Sequence, residues 1–281
     1  MLTTAHKIEL ARAVARPLIG LRRLVGKSSH VTVTRRGIRW CLNLNEGIDF
    51  SIYLMGGFEL STLKLYARFV RPGATVVDIG ANIGAHALPL ASMVGSMGSV
   101  IAFEPTAFAV SKLRVNASLN PVLSSRLVVC QYMLVARAED PLEREIYSSW
   151  PLSEQGETHE KHKGRLQSTD GAQTRTLDHA LADMHVGKID FIKIDVDGNE
   201  YSVLRGGASV LERHRPRILM ELAPYLFASK PEEFEKLIGM LQGIEYRMSD
   251  AATGKMLPMD AVSLRQTIRE GASRNVLIEP S

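Results

Sequence analysis

One short stretch constrains the fold of this 281-residue chain more than any other. An apolar run typical of a buried strand passes directly into a glycine-rich turn, with the letters Thr75-Val76-Val77-Asp78-Ile79-Gly80-Ala81-Asn82-Ile83-Gly84. Gly80 lets the chain turn sharply and lets a ligand approach the backbone, while Gly84 permits close packing of the helix that follows. A strand, a glycine turn and a helix in this order are typical of the ligand-binding crossover of an open α/β sheet.

The alternation of strand and helix patterns continues along the chain. β-rich runs lie near residues 75–78, 99–103, 127–132, 190–195, 217–222, 246–249 and 275–278. Helical patterns lie between them at 84–94, 107–119, 200–213 and 231–242. This order predicts an α/β fold of the Rossmann-like kind, with a seven-stranded, mostly parallel sheet and helices on both faces.

The segment before the main domain has a different character. Apolar residues from Ile8 to Val25 recur at helical spacing, with Pro17 expected to kink or divide the helix. The following residues up to Tyr53 contain two short β-rich runs around Arg36-Gly37, which predict a small hairpin. We therefore expect residues 1–55 to form a helical and β extension, and residues 56–281 to form one domain.

Charge is distributed unevenly along the chain. The net charge is +4, yet residues 1–39 alone carry nine basic residues and one acid, so the rest of the chain is net acidic. An acidic main domain argues against a nucleic-acid partner. The basic N-terminal helix is interpreted either as a solvated helix packed on the domain or as a contact to an anionic membrane surface. No uninterrupted apolar stretch is long enough to span a bilayer, and we expect a cytoplasmic protein.

The glycine turn also bears on the cofactor. Its spacing is Gly-x-x-x-Gly, which differs from the Gly-x-Gly-x-x-Gly of dinucleotide sites. S-adenosylmethionine carries no phosphate, and Asp78 suits its cationic end. A second apolar strand ends in Glu104, 24 positions after Gly80, where a carboxylate can accept both ribose hydroxyls. Together these two elements indicate a cofactor that contains adenosine.

A third strand ends in a cluster of acids. Successive side chains of a strand point to opposite faces, so Lys193, Asp195 and Asp197 share one face. They lie at the carboxyl end of this strand, beside the expected cofactor. With Glu200 these acids could provide a base, a metal site or a substrate clamp. The alternative is that Asp197-Gly198 is only a turn and that Glu200 is an acid favoured at a helix start.

The chain resembles the FkbM family of methyltransferases. The resemblance rests on the order of several motifs, namely Gly57-Phe58-Glu59, Arg71-Pro72-Gly73, Val77 to Gly84, Phe103-Glu104-Pro105, Asn116, Asn120, Thr176-Leu177-Asp178, Lys193 to Gly198, and Arg215-Pro216 before Glu221. It implies a class I methyltransferase fold and O-methylation of a hydroxyl on a sugar, a polysaccharide or glycolipid, or a secondary metabolite. It also implies that the cofactor is bound by Glu59, Asp78, Gly80, Asn82, Gly84 and Glu104.

Asp195 is the hypothesised catalytic residue, as a general base or as a group that orients the acceptor. A divalent cation between Asp195 and Glu221 is possible but not favoured, and we assign no metal ligand. His86 is a second candidate base, although a packed histidine is the more frequent case. We expect the acceptor to be a small molecule or carbohydrate, covered by residues from the first 50 and from 150–170. The alternatives are an NAD-type oxidoreductase and a non-catalytic cofactor-binding scaffold.

Overall fold

The computed structural model describes residues 4–152 and 164–281. The helices are α1 (Thr4–Leu24), α2 (Gly47–Met55), α3 (Leu60–Phe69), α4 (Ala87–Met93), α5 (Ala107–Ser118), α6 (Pro121–Ser124), α7 (Leu177–Asp183), α8 (Glu200–Arg205), α9 (Ala208–His214), α10 (Pro231–Gly243) and α11 (Ala261–Thr267), with a 3-10 turn at Pro224–Phe227. The strands are β1 (His30–Arg35), β2 (Ile38–Asn43), β3 (Thr75–Ile79), β4 (Ser99–Phe103), β5 (Leu127–Cys130), β6 (Tyr132–Leu134), β7 (Glu145–Ser148), β8 (Arg165–Ser168), β9 (Gln173–Arg175), β10 (Phe191–Ile194), β11 (Arg217–Leu222), β12 (Tyr246–Asp250), β13 (Met256–Leu257) and β14 (Arg274–Pro280).

The main sheet has eight strands in the order β13-β12-β14-β11-β10-β3-β4-β5. Strands β11, β10, β3, β4 and β5 run parallel, and β14 is antiparallel to both β11 and β12. The predicted α/β fold and its mostly parallel sheet are confirmed. The eighth strand is the two-residue β13, which pairs with β12 at the sheet edge.

Two predicted elements are divided in the structure. The strand predicted at 127–132 splits at Gln131, and β6 leaves the sheet to pair with β9. The amides of Val100 and Glu104 donate toward β5, whereas the amide of Thr106 donates to the Glu104 carboxylate at 2.9 Å and so does not continue the ladder. The helix predicted at 200–213 splits into α8 and α9 at Gly206-Gly207. A Cβ on Gly206 would lie 2.1 Å from the carbonyl oxygen of Val135, so the chain packs too closely there for a side chain.

Alternate residues of the central strands pack into two separate apolar layers. Val77 and Ile79 of β3 belong to the layer that includes α7 to α10. Val76 of the same strand belongs to the layer formed with α3 and α4, where Tyr66 is fully buried. The period of two in the strands therefore places helices on both faces, as the sequence predicts.

The N-terminal segment packs directly against the glycine turn. The predicted hairpin is present as β1 and β2 in an antiparallel register that pairs His30 with Asn43, and α1 continues through Pro17. The buried Asn116 of α5 joins hairpin and turn, since its Oδ1 accepts from the Cys41 amide at 2.8 Å and its Nδ2 donates to the Ile83 carbonyl at 3.0 Å. The boundary near residue 55 stays a prediction. Within the described residues no helix has the length and apolar content needed to span a bilayer.

Candidate active site

A cleft follows the carboxyl ends of β3, β4, β10 and β11 and consists of two connected chambers. The first has a volume of about 1130 Å³ and the second about 610 Å³. Five residues line both chambers, namely Gly80, Glu104, Ser148, Asp195 and Asp197. This junction lies where open α/β sheets bind ligands, beyond the carboxyl ends of the strands.

Both glycines of the turn have left-handed backbones, with φ of 77° at Gly80 and 89° at Gly84. A Cβ on Gly80 would lie 1.9 Å from the backbone oxygen of Asp195, so the loops after β3 and β10 touch. A Cβ on Gly84 would lie 2.5 Å from a methyl group of Leu113 in α5. Gly80 therefore shapes the junction itself, whereas Gly84 lets α5 pack beneath it.

Glu104 is held tightly at the end of β4, where only 3% of it is exposed. Its Oε2 accepts from the amide of Asn82 at 3.0 Å, and its Oε1 accepts from the amide and hydroxyl of Thr106 at 2.9 and 2.6 Å. Burial raises the pKa of Glu104, and the hydrogen bonds from Thr106 and Asn82 oppose that rise. Because Oε1 already accepts two hydrogen bonds, Oε2 alone has a free lone pair. The expectation that Glu104 accepts the ribose hydroxyls stays a prediction, and Oε2 is the oxygen with a lone pair left for one of them.

Asn82 supports this carboxylate through its backbone. It adopts a left-handed conformation with φ of 47°, which aims its amide at Glu104. Its side chain contacts the hydroxyls of Ser148 and Ser149, at 3.4 and 3.1 Å from Nδ2. Asn82 therefore ties the glycine turn to the segment after β7 and lines the second chamber.

Asp78 lies behind the cleft wall and lines neither chamber. It is still inside β3, so neighbouring strands flank it and it is fully buried. Its closest basic group is the ammonium of Lys193, 3.8 Å from Oδ1. Burial raises the pKa of Asp78 to about 6, against the effect of Lys193. The role of Asp78 in cofactor binding stays a prediction; in the structure its carboxylate lies beside the ammonium of Lys193.

Lys193 connects this buried acid to the cleft. Its Nζ lies 3.3 Å from Oδ2 of Asp195 and 3.4 Å from the carbonyl oxygen of Gly80. Burial alone would lower the pKa of Lys193, but Asp195 and Asp78 raise it above its usual value, so the ammonium stays charged. The alternation of the strand predicts that Lys193 and Asp195 share a face, and the structure brings them together.

Asp195 and Glu221 form a carboxyl pair on the floor of the second chamber. Burial would raise the pKa of Asp195, but the Lys193 charge and a hydrogen bond with Glu221 hold it below its ordinary value. Burial, together with the charges of Asp195 and Glu59, raises the pKa of Glu221 well above its ordinary value. The raised pKa favours the protonated form of Glu221, which forms a hydrogen bond with Asp195.

The other acids of this loop have separate roles. Asp197 has a left-handed backbone with φ of 49°, and its exposed side chain lines both chambers. Glu200 lines neither chamber; it is buried at the start of α8, where its Oε1 accepts from the amide of Gly198 at 3.2 Å. The structure thus supports the reading of Glu200 as a helix-start acid.

His86 and Glu59 face each other across the second chamber. Burial and the nearby Lys193 lower the pKa of His86 to about 3, so its ring is neutral. Its Nδ1 lies 2.9 Å from the hydroxyl of Tyr66, and its Nε2 lies 3.8 Å from Oε2 of Glu59. The same Oε2 accepts from the hydroxyl of Thr62 at 3.1 Å. The role of Tyr66 was not foreseen, since in sequence it is only one apolar position of a helix.

The second chamber has largely apolar walls. They include Leu10 and Val14 of α1, Phe58 before α3, and Trp150. The N-terminal region and the region after 150 thus contribute to this chamber, as the sequence predicts, while residues 153–163 of the expected cover lie outside the described residues. Tyr225 and Leu226 also line it, and no sequence pattern distinguished them from core residues.

No metal centre is found in the part of the chain that the structure describes. There, no group of three or more His, Cys, Asp or Glu side chains has an arrangement that could hold an ion. Cys130 is buried and Cys41 partly buried, and both are free thiols.

The wound sheet, the glycine turn and the carboxylates along its strand ends define a Rossmann-like methyltransferase fold of class I. Residues 78–248 match the family model described as the Methyltransferase FkbM domain, and this chain belongs to that family. The predicted resemblance to FkbM methyltransferases is thereby confirmed. Family membership also decides against the NAD-type oxidoreductase.

Relatives of the chain are distant. A hexuronic acid methyltransferase, AglP of Haloferax volcanii, is 28% identical over 154 residues, covering 55% of this chain and 58% of that protein. This chain therefore matches a little over half the length of that relative. Among solved structures, an FkbM methyltransferase from Methylobacillus flagellatus is 17% identical with a TM-score of 0.43, covering 77% of this chain and 50% of that one. The M. jannaschii TYW2 structure in complex with AdoMet is 15% identical with a TM-score of 0.45, covering 90% and 86%.

Proposed function

We propose that this protein is an S-adenosylmethionine-dependent O-methyltransferase. The observation that carries the proposal is the charge at the junction of the two chambers. Glu59, Glu104, Asp195, Asp197 and Glu221 line the second chamber, and the only cation beside them among the described lining residues is Lys193. The pKa values of Glu221 and Asp197 are raised, that of Asp197 to about 8, which leaves Glu59, Glu104 and Asp195 as the carboxylates that face one ammonium.

This set of groups suits a cationic ligand. When bound, S-adenosylmethionine supplies a methyl group on a sulfonium, and it also carries an ammonium. A pyrophosphate would place negative charge among the same carboxylates, at a strong electrostatic cost. Glu104 has one free lone pair for a ribose hydroxyl, and the first chamber extends from it past Phe103 and Tyr132, whose rings stack at 6.2 Å. We infer that the adenosine part lies in the first chamber.

The acceptor belongs in the second chamber. Asp195 lies on its floor with an ionised carboxylate that can accept a hydrogen bond from an acceptor hydroxyl. The lowered pKa makes Asp195 better suited to orient the hydroxyl than to remove its proton early in the reaction. As the oxygen forms its bond to the methyl carbon, Asp195 takes up the hydroxyl proton.

The walls favour an acceptor that joins hydroxyls to an apolar body. Aromatic side chains such as Phe58 and Trp150, whose rings lie 6.1 Å apart, offer flat apolar surfaces beside the carboxylates. A sugar carried on an apolar group, or a glycosylated secondary metabolite, fits this combination. The similarity to a hexuronic acid methyltransferase also supports a carbohydrate acceptor.

Calorimetric titration with S-adenosylmethionine, its demethylated product and NAD tests the cofactor. We expect the first two to bind and NAD not to bind; NAD binding with no binding of the methyl donor would refute the proposal. Conversion of the donor is then measured against hydroxylated sugars, glycolipids and polyketides. Binding without turnover on any of them would favour the non-catalytic scaffold.

A further inference from the structure

Helix α1 carries apolar side chains on two different sides. Ala15 and Ile19 are buried in a cluster with Leu44 and Phe50. Leu10, Val14, Leu21 and Leu24 are instead exposed, from 41% at Val14 to 85% at Leu24. At about 100° per residue these four positions fall within an arc of roughly 80° that points away from Ala15. One apolar stripe holds the helix on the protein, and a second is uncovered.

The uncovered stripe continues onto the neighbouring helix. Leu54 and Met55 at the end of α2 are 51% and 53% exposed. With Leu10 and Val14 they line the second chamber. We name the surface formed by Leu10, Val14, Leu21, Leu24, Leu54 and Met55 the apolar face. A continuous group of exposed large apolar side chains on a soluble domain marks an interaction site.

Basic residues accompany this face. Lys27 is exposed just beyond the end of α1, and the Arg36 side chain lies against Gly56, next to Met55. Glu9 is the sole acid among residues 1–39, although the rest of the chain is net acidic. Lys27 and Arg36 therefore place positive charge beside the exposed apolar side chains. An apolar stripe with adjacent arginine and lysine is the pattern of helices that lie in the interface of anionic bilayers.

We propose that the apolar face docks on an anionic lipid bilayer. The leucine side chains of α1 enter the boundary between headgroups and acyl chains, and Lys27 and Arg36 contact lipid phosphates. The second chamber then opens toward the membrane. The docking surface is independent of the methyl donor, so it is tested without donor or acceptor.

The test is flotation of the full chain with phosphatidylcholine vesicles, with and without phosphatidylglycerol. We expect the protein to float with the anionic vesicles only, and to be released as salt is raised. Leu21→Asp/Leu24→Asp should reduce the bound fraction at least about tenfold, since burying two carboxylates in the interface is unfavourable. Lys27→Gln/Arg36→Gln should weaken binding less and reduce its salt dependence.

Matched controls introduce an aspartate at exposed apolar positions outside the apolar face. Val122→Asp and Val262→Asp alter side chains that are 65% and 62% exposed but lie away from α1, and they should float like the wild type. Circular dichroism confirms that each variant is folded. The proposal is wrong if the wild type does not float with anionic vesicles, or if Leu21→Asp/Leu24→Asp floats equally well. A dimer in light scattering that this variant abolishes, without vesicle binding, would assign the face to a second copy instead.

Discussion

The two chambers of the cleft are built from different parts of the chain. All residues lining the first chamber lie between positions 79 and 236, inside the range that matches the FkbM domain. The second chamber also uses residues from Leu10 to Ser61 and Asn275, which lie outside that range. The proposed cofactor side is thus made by the family domain, and the proposed acceptor side is shared with the N-terminal segment.

This difference separates the proposed binding of the cofactor from the proposed binding of the acceptor. The junction is fixed by adjacent strands and by charged groups that hold one another, as Lys193 does with Asp195 and Asp78. The outer wall of the second chamber comes from α1 and α2, which pack on the domain through side chains such as Ile19 and Phe50. Changes in α1 and α2 can therefore reshape the acceptor chamber without disturbing the strand ends.

The largest expected effect is at the junction. Asp195→Asn should lower kcat roughly 10²- to 10⁴-fold, because the amide cannot take up the acceptor proton. Affinity for S-adenosylmethionine should fall much less than kcat, because Glu59 and Glu104 keep their charge at the junction. The matched control is Glu221→Gln, which keeps a side chain of the same length that can donate to Asp195 and should keep kcat within about tenfold, the equivalent of about 1.4 kcal/mol. Single-turnover kinetics and calorimetry distinguish the two variants, and an active Asp195→Asn enzyme would remove Asp195 from the mechanism.

Gly80→Ala tests the contact between the loops after β3 and β10. Its Cβ would meet the Asp195 carbonyl oxygen at 1.9 Å, so the backbone must shift. We expect a loss of about 2–5 kcal/mol in unfolding free energy, from about 1–2 for a left-handed Cβ and about 1–3 for the overlap. Gly37→Ala is the control, since φ there is 78° but no atom lies within 4 Å of the new Cβ. Urea denaturation of both variants measures the difference, and equal losses would contradict the close contact.

Two substitutions test whether the chambers are functionally separate. Glu104→Gln should weaken S-adenosylmethionine binding by about tenfold, the loss expected for one hydrogen bond to a charged group. Phe58→Leu should instead raise the acceptor KM and leave the cofactor Kd within about twofold. Calorimetry gives the Kd and initial rates give the KM. If both variants changed the same parameter, either the cofactor Kd or the acceptor KM, the two chambers would act as one binding site.

The smallest expected effect concerns pH. His86 has a folded pKa of about 3 against 6.5 in the unfolded chain, so the unfolded state binds the proton first. Stability from this group is present above pH 6.5 and is lost as the pH falls. The unfolding free energy of the wild type minus that of His86→Gln should therefore drop by about 1.4 kcal/mol between pH 8 and 5.5. Asp78, whose pKa is raised to about 6, acts in the opposite direction but is common to both proteins. Denaturation at both pH values checks this, and a constant difference would mean that His86 is solvated.

The sequence allowed most of the fold to be predicted. The spacing of apolar residues correctly predicted strands β3, β4, β10, β11, β12 and β14. Such spacing is informative because each face of a strand packs against the same surroundings along its length. It missed the division at Gly206 because the reason is a contact with Val135, about 70 positions earlier. Local sequence patterns carry no information on close contacts between segments that are far apart in the chain.

The sequence by itself determined that Gly80, Glu104 and Asp195 would meet at one edge of a wound sheet, since parallel strands bring their carboxyl ends together. The tertiary structure decided which of the acids reach the cleft. Asp78 is inside its strand and contacts Lys193, and Glu200 caps its own helix, whereas Asp195 lies at the chamber floor. The physical reason is that burial and charged neighbours set the role of an acid, and those neighbours come from strands and loops distant in the chain.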